Sequence, residues 1–122
     1  EDYFIANNSI HNVSVEYVRR NGVEKVSAEV LDYLKECDIL YLSFDVDSMD
    51  CDLVSYGTGT PVPNGITEQE ASGLINHFLI DKRVGCFEVV EINPCLDNKQ
   101  NKMAETAFRI LENATSIIEK RG

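Results

Sequence analysis

Asp38-Ile39-Leu40-Tyr41-Leu42-Ser43-Phe44-Asp45-Val46-Asp47-Ser48-Met49-Asp50-Cys51-Asp52, continuing through Leu53-Val54-Ser55-Tyr56 to Gly57-Thr58-Gly59-Thr60, is the stretch that decides the fold. Ile39, Leu40, Tyr41, Leu42 and Phe44 form the near-continuous apolar run expected of a strand buried on both faces of a parallel sheet. Asp45 and Asp47 stand two residues apart where that run ends. Residues i and i+2 of a strand point to the same side, so both carboxylates face one spot. Two bare carboxylates that close repel each other, and desolvation adds to the cost. A cation between them removes it. Open α/β sheets also place their ligands beyond the carboxyl ends of their strands, so the pattern predicts a metal site there.

Working outward, Gly57-Thr58-Gly59-Thr60-Pro61-Val62-Pro63-Asn64-Gly65 reads as a rigid, shaped turn, because proline fixes the backbone while glycine admits the sharp conformations other residues avoid. Thr67 and Glu70 make the S/T-x-x-E capping box of a helix start, with Ala71, Leu74, Ile75, Phe78 and Leu79 on its apolar face. Val84 to Ile92 reads as a second buried strand, ended by Asn93-Pro94. From Asn98 to Lys120, Met103, Ala104, Ala107, Ile110, Leu111, Ala114, Ile117 and Ile118 fall on one helical stripe, which is packing surface. Upstream, Val26, Val30, Leu31 and Leu34 keep helical spacing between Glu24 and Glu36. Glu1 to Val15 has no clear period.

The order helix, strand, helix, strand, helix predicts an α/β fold with right-handed crossovers. Two strands are too few for a parallel sheet, whose edges need neighbours. Either Glu1–Val15 hides a strand or the chain is the C-terminal part of a larger domain; the second alternative is favoured.

The 122 residues suffice for one domain. Twenty-one acidic against 11 basic residues give a net charge of −10, which argues against nucleic acid or an anionic membrane as partner and suits a cation. With no signal-like opening or long apolar run, the cytoplasm is the expected location. The four cysteines show neither C-x-x-C pairing nor a disulfide framework; Cys37 and Cys86, beside strands, read as buried free thiols. His11 reads as structural and His77 as a surface residue off the apolar face. The Asn-x-Ser/Thr sequons at Asn7, Asn12 and Asn113 read as chance matches.

Three motifs compete for Asp45 to Asp50. An EF-hand loop would need glycine at Asp50 and glutamate at Tyr56, and fails at both. A phosphatase of the haloacid-dehalogenase type would use Asp45 as nucleophile, but Met49 stands where its Thr or Val belongs. A solvated acidic loop accounts for Asp50 and Asp52 but poorly for Asp45 and Asp47.

The third motif fits. Ser43-Phe44-Asp45-Val46-Asp47-Ser48-Met49-Asp50 resembles the S-F-D-x-D-x-x-D signature of the ureohydrolases, the arginase and agmatinase family. Gly57-Thr58-Gly59-Thr60-Pro61-Val62 resembles that family's G-T-G-T-P loop, and Glu91-Ile92-Asn93-Pro94-Cys95-Leu96-Asp97 its E-V-N-P-x-L-D segment. Within the family the last block is most similar to the arginase branch. Three blocks in series, spanning Asp38 to the final helix, are far more specific than one D-x-D.

The resemblance implies a three-layer α/β/α fold with a mainly parallel sheet, of which residues 1–122 are the C-terminal portion of a single domain. It implies that Asp45 bridges two manganese ions and Asp47 chelates one. Thr60 lies near the substrate, and Glu91 pairs with the guanidinium of arginine, whose planar fork suits a carboxylate. The chemistry is metal-assisted hydrolysis to urea and ornithine, with oxygen ligands suited to manganese. Agmatinase and formiminoglutamase activities are the nearest alternatives, and a non-catalytic half-fold binding module is the alternative of another class. Members are often homo-oligomers.

Cys51 departs from the family's proline after the third Asp, and Asp50 is expected to structure the loop rather than to ligate. The G-G-D-H and D-A-H-x-D blocks that carry the family's remaining metal ligands are absent from these residues. The chain alone is therefore expected to be inactive and to hold manganese weakly.

Overall fold

Thr67 fixes the start of the central helix. Its hydroxyl accepts the Glu70 amide at 3.1 Å while the Glu70 carboxylate accepts the Thr67 amide at 2.8 Å. This reciprocal cap, worth about 1 kcal/mol, launches a helix over Glu68–Ile80. The computed structural model describes residues 2–122, without the side chain of Asp2, and contains five helices and two strands. In chain order these are α1 (Asp2–Asn7), α2 (Val15–Asn21), α3 (Val23–Tyr33), β1 (Leu40–Asp45), α4 (Glu68–Ile80), β2 (Val84–Val90) and α5 (Lys102–Arg121). Single 3-10 turns follow each strand, at Val46–Ser48 and Pro94–Leu96.

β1 and β2 pair in parallel with Ser43 opposite Glu88 and Asp45 opposite Val90. α4 is the crossover between them, as the alternation of periods predicts. The core fills the space between one face of this sheet and the helices. Phe44 and Val84 from the strands meet Ala71, Ile75 and Leu79 of α4 and Met103, Ala107, Ile110 and Ala114 of α5. The α5 stripe therefore packs as its spacing requires, except that Leu111 at its margin remains exposed.

Arginine side chains stitch the helix ends. Arg83 donates to the carbonyls of Leu34 at 2.7 Å and Cys37 at 3.3 Å, closing the last turn of α3, while Asp81 holds its other side. Arg121 donates to Leu79, Asp81 and Val84, tying the end of α5 to the α4–β2 junction. Both answer the orphan carbonyls that every helix end leaves.

Four expectations change. β1 is buried on one face only: Tyr41 is 61% exposed and Ile39 77%, because nothing in the described chain covers that side. Cys86 points to the same open face and Cys37 lies in the turn after α3, so both thiols are exposed, and Cys51 is the buried one. A helix missed in the sequence occupies 15–21, and residues 2–7 form another rather than the strand of the less favoured alternative; Glu1 lies outside the described residues. His77 is half-buried, its Nδ1 2.7 Å from the Gly73 carbonyl. All four cysteines are free, as their spacing implies.

Candidate metal centre

β1 delivers Asp45 to the carboxyl end of the sheet, and the backbone turns at once. The Asp45 carboxylate accepts the Asp47 amide at 2.8 Å and caps the 3-10 turn, while its carbonyl accepts the Ser48 hydroxyl at 2.6 Å. Asp47 thus belongs to the turn, not to the strand. The i, i+2 alternation is not what aims it, because the short aspartate side chain bonds the amide two residues on and ends the extended run.

The loop that follows is folded back under this turn. The Asp50 amide donates to Ile66, the Cys51 amide to Val62, and the Ile66 amide to Ser48. Gly65 sits so close to this pairing that a Cβ there would lie 2.4 Å from the Ser48 carbonyl oxygen, which is why a glycine ends the loop. Asp50 is 7% exposed and bonds the Asp52 amide at 2.9 Å, so it is a buried loop-former rather than part of a solvated acidic surface.

This fold-back brings Thr60 to Asp47, where its hydroxyl donates to Asp47 Oδ2. The other carboxylate oxygen, Asp47 Oδ1, is buried and has no hydrogen-bond partner among the described residues. A buried anionic oxygen without a donor is costly, and a cation is the partner that would satisfy it. The oxygens of Asp45 and Asp47 form a hard donor set, so these residues fit a metal such as manganese.

Glu91 enters from the second strand. It stands just past β2 with φ of +66°, a left-handed conformation unusual for a side-chain-bearing residue. Its exposed carboxylate faces Gly59: a Cβ on that glycine would be 3.9 Å from Glu91 Oε2. Asp45, Asp47, Thr60 and Glu91 are thus carried by two strand ends and the loop between them. Thr58, buried in that loop, has a hydroxyl with no partner among the described residues.

A second set was not singled out in the sequence. Asp50, Cys51 and Asp52 bring ligand atoms within 4.8 Å of one another. The Tyr56 phenol beside them is pushed up to about 12, first by the Cys51 sulfur and then by the Asp52 carboxylate. Consecutive residues could reveal this set only once the loop's fold-back was known.

A parallel strand pair that presents carboxylates from both strand ends, with a helix crossing between them, defines a segment of an α/β protein with acidic groups at the carboxyl end of its sheet. The chain matches the arginase family over residues 1–116, and it belongs to that family. It is 38% identical over 113 residues to an arginase of Bacillus subtilis, covering 92% of this chain and 37% of that one. The crystal structure of Entamoeba histolytica arginase in complex with L-ornithine superposes with a TM-score of 0.84 at 25% identity, over 93% of this chain and 38% of that one. A Trypanosoma cruzi formiminoglutamase, solved with Mn2+, superposes with a TM-score of 0.77 over 98% of this chain and 39% of that one; at 19% identity this likeness concerns the fold. The chain therefore spans under two fifths of the length of these relatives, and its fold is a segment of the arginase fold.

Proposed function

We propose that these residues are the C-terminal portion of a single ureohydrolase domain, and that the complete protein hydrolyses the guanidinium group of arginine to urea and ornithine with a manganese pair. The observation that carries this reading is the buried, unpartnered Oδ1 of Asp47, beside a second carboxylate and within a chain of the arginase family. Asp45 and Asp47 would hold the metal, with further ligands from the rest of the domain. When bound, manganese supplies the acidity that makes a water nucleophilic at neutral pH.

The chain's own residues prepare that step. Thr60 fixes Asp47 by donating to one oxygen, which leaves the other free to ligate. The exposed Glu91 carboxylate accepts a guanidinium in the forked geometry that suits it and turns the substrate's carbon toward the metal ligands. Gly59, having no side chain, leaves that approach open. Arginine is favoured over agmatine and formiminoglutamate by the relatives' names and by Asn93 in the Glu91–Asp97 segment. In this reading the complete protein is a homo-oligomer, and residues 1–122 alone are inactive.

The test is urea release by the complete protein with manganese, offered arginine, agmatine and formiminoglutamate in parallel. Arginine is expected to be the best substrate, and release should disappear in Asp45→Ala. Equal turnover by Asp45→Ala would sink the assignment. Phosphate release from small phosphoesters with magnesium would favour the phosphatase reading, and a complete protein with no activity on any of them would favour a binding module.

A further inference from the structure

The carboxylate of Asp97 has no part in the site described above, yet it is among the most heavily bonded side chains of the structure. Its Oδ1 accepts the Ser55 hydroxyl and the Lys99 amide, the latter at 2.9 Å. Its Oδ2 accepts the Met103 amide at 2.8 Å. Met103 is in the first turn of α5, whose own cap residue, Asn101, is left-handed and makes no side-chain cap bond. Asp97 therefore supplies from outside the helix the acceptor that the helix start lacks.

The other end of this arrangement is the loop before Thr60. Ser55 is fully buried, and its Oγ accepts the Gly57 amide at 3.1 Å while donating to Asp97. The Gly57 carbonyl accepts the Asn93 amide at 2.8 Å, and the Tyr56 amide donates to Asn98 at 3.1 Å. Lys99 and Lys102 reach across to the carbonyls of Asp52 and Leu53, each at 2.6 Å. There is no slack: a Cβ on Gly57 would stand 2.6 Å from the Met103 Cβ and 3.1 Å from Asp97 Oδ2. Two residues after Gly57 comes Gly59, against Glu91, and three after it Thr60, against Asp47.

We propose that Asp97 is a positioning residue for the substrate site: through Ser55 and Gly57 it anchors the 57–60 loop to the start of α5, and so sets Thr60 and Gly59 relative to Asp47 and Glu91. The inference rests on the ureohydrolase reading for its kinetic consequence, but the anchoring itself does not. A loop held at one end by a buried serine and a carboxylate moves as a unit when either is lost. Small displacements of a substrate-orienting loop affect rate and binding far more than they affect stability.

Ser55→Ala and Asp97→Asn, made singly and together in the complete protein, test it. Ser55→Ala removes one hydroxyl and serves if Asp97→Asn fails to fold. Each single variant is expected to raise KM for the guanidino substrate by about tenfold with manganese content unchanged. The double variant should be little worse than the worse single one, because both cut the same tether. Amide hydrogen exchange should accelerate at Gly57 and Asn93 and leave β1 and β2 protected. A lowered melting temperature with wild-type KM, or KM changes that multiply in the double variant, would overturn the positioning role. Should the wild-type protein release no urea from any guanidino compound, the ureohydrolase reading fails separately. The exchange result then decides the anchor: faster exchange confined to the loop sustains it, and unchanged exchange refutes it.

Discussion

The two faces of the β1–β2 sheet are built from the same alternating strands and have opposite fates. On one face Phe44 and Val84 are sealed beneath α4 and α5. On the other, Tyr41, Ser43 and Asp45 of β1 line up beside Cys86, Glu88 and Val90 of β2 with no helix over them. The open face is also chemically different. Ser43 donates to Glu88 at 2.8 Å across the strands, and the Tyr41 phenol is pushed up to about 12 by the same carboxylate. The Glu88 carboxyl is held below its usual range, first by Tyr41 and then by Ser43. The closed face stabilises by apolar burial alone. The open face carries the polar groups that lead to Asp45, and an edge and a surface that parallel sheets do not normally leave bare.

The contrast should be sharpest at the carboxylate end of the open face. In the complete protein, Asp47→Ala should lower urea release by about 100-fold or more, since loss of a group that merely supports a ligand already costs about 10–100-fold; manganese analysis alongside the assay checks that metal is what is lost. On the closed face, Leu79→Ala should cost about 3 kcal/mol of stability by leaving a cavity among Phe44, Ile75 and Val84, read from denaturant midpoints. A comparable loss from Tyr41→Ser in the 122-residue chain would erase the distinction between the faces. Gly65→Ala, which drives a Cβ into the Ser48–Asp50 backbone, should cost about 2 kcal/mol and weaken metal binding with it.

Thiol labelling offers a direct probe of coverage. In the 122-residue chain Cys37, Cys86 and Cys95 should react quickly and Cys51 slowly. In the complete protein Cys86 should join Cys51, because the rest of the domain would cover its face. Equal labelling of Cys86 in both would mean the face stays bare. The smallest effect is electrostatic. Because the folded Glu88 carboxyl titrates below its unfolded value, its contribution is present above about pH 4.3 and is lost as pH falls through the depressed folded value. Glu88→Gln should therefore remove a small acid-dependent component of stability and lower the Tyr41 titration, followed by ultraviolet absorbance, from about 12 toward the ordinary phenol value.

The elements were largely legible because their signals are local. The capping box at Thr67 and Glu70, the α5 stripe and the apolar runs of β1 and β2 are each written in neighbouring residues, although β2 ends at Val90 and not at Ile92. Asp45, Asp47, Thr60 and Glu91 were nameable because three motif blocks recur in order. What stayed hidden depends on contacts distant in sequence or on local bonds too short to leave a period. Tyr41 and Cys86 are exposed because no described element packs over their face, which an apolar run cannot announce. Asp47 leaves the strand because the Asp45 carboxylate accepts its backbone amide. Asp97 meets Ser55 across 42 residues, so no periodicity connects them. The α2 helix, only seven residues long, starts with a Ser14 cap accepting the Tyr17 amide and is too short to give a period.

In the proposed reading, Asp45 and Asp47 form part of a manganese site that the remainder of the domain completes. The most direct measurement is the manganese content, after exhaustive dialysis, of the complete protein, its Asp47→Ala variant and the 122-residue chain. A retained metal pair in the complete protein, sharply reduced content in the variant and little in the short chain is the result this account predicts. Undiminished manganese in Asp47→Ala, or a full pair held tightly by the 122-residue chain, would contradict it.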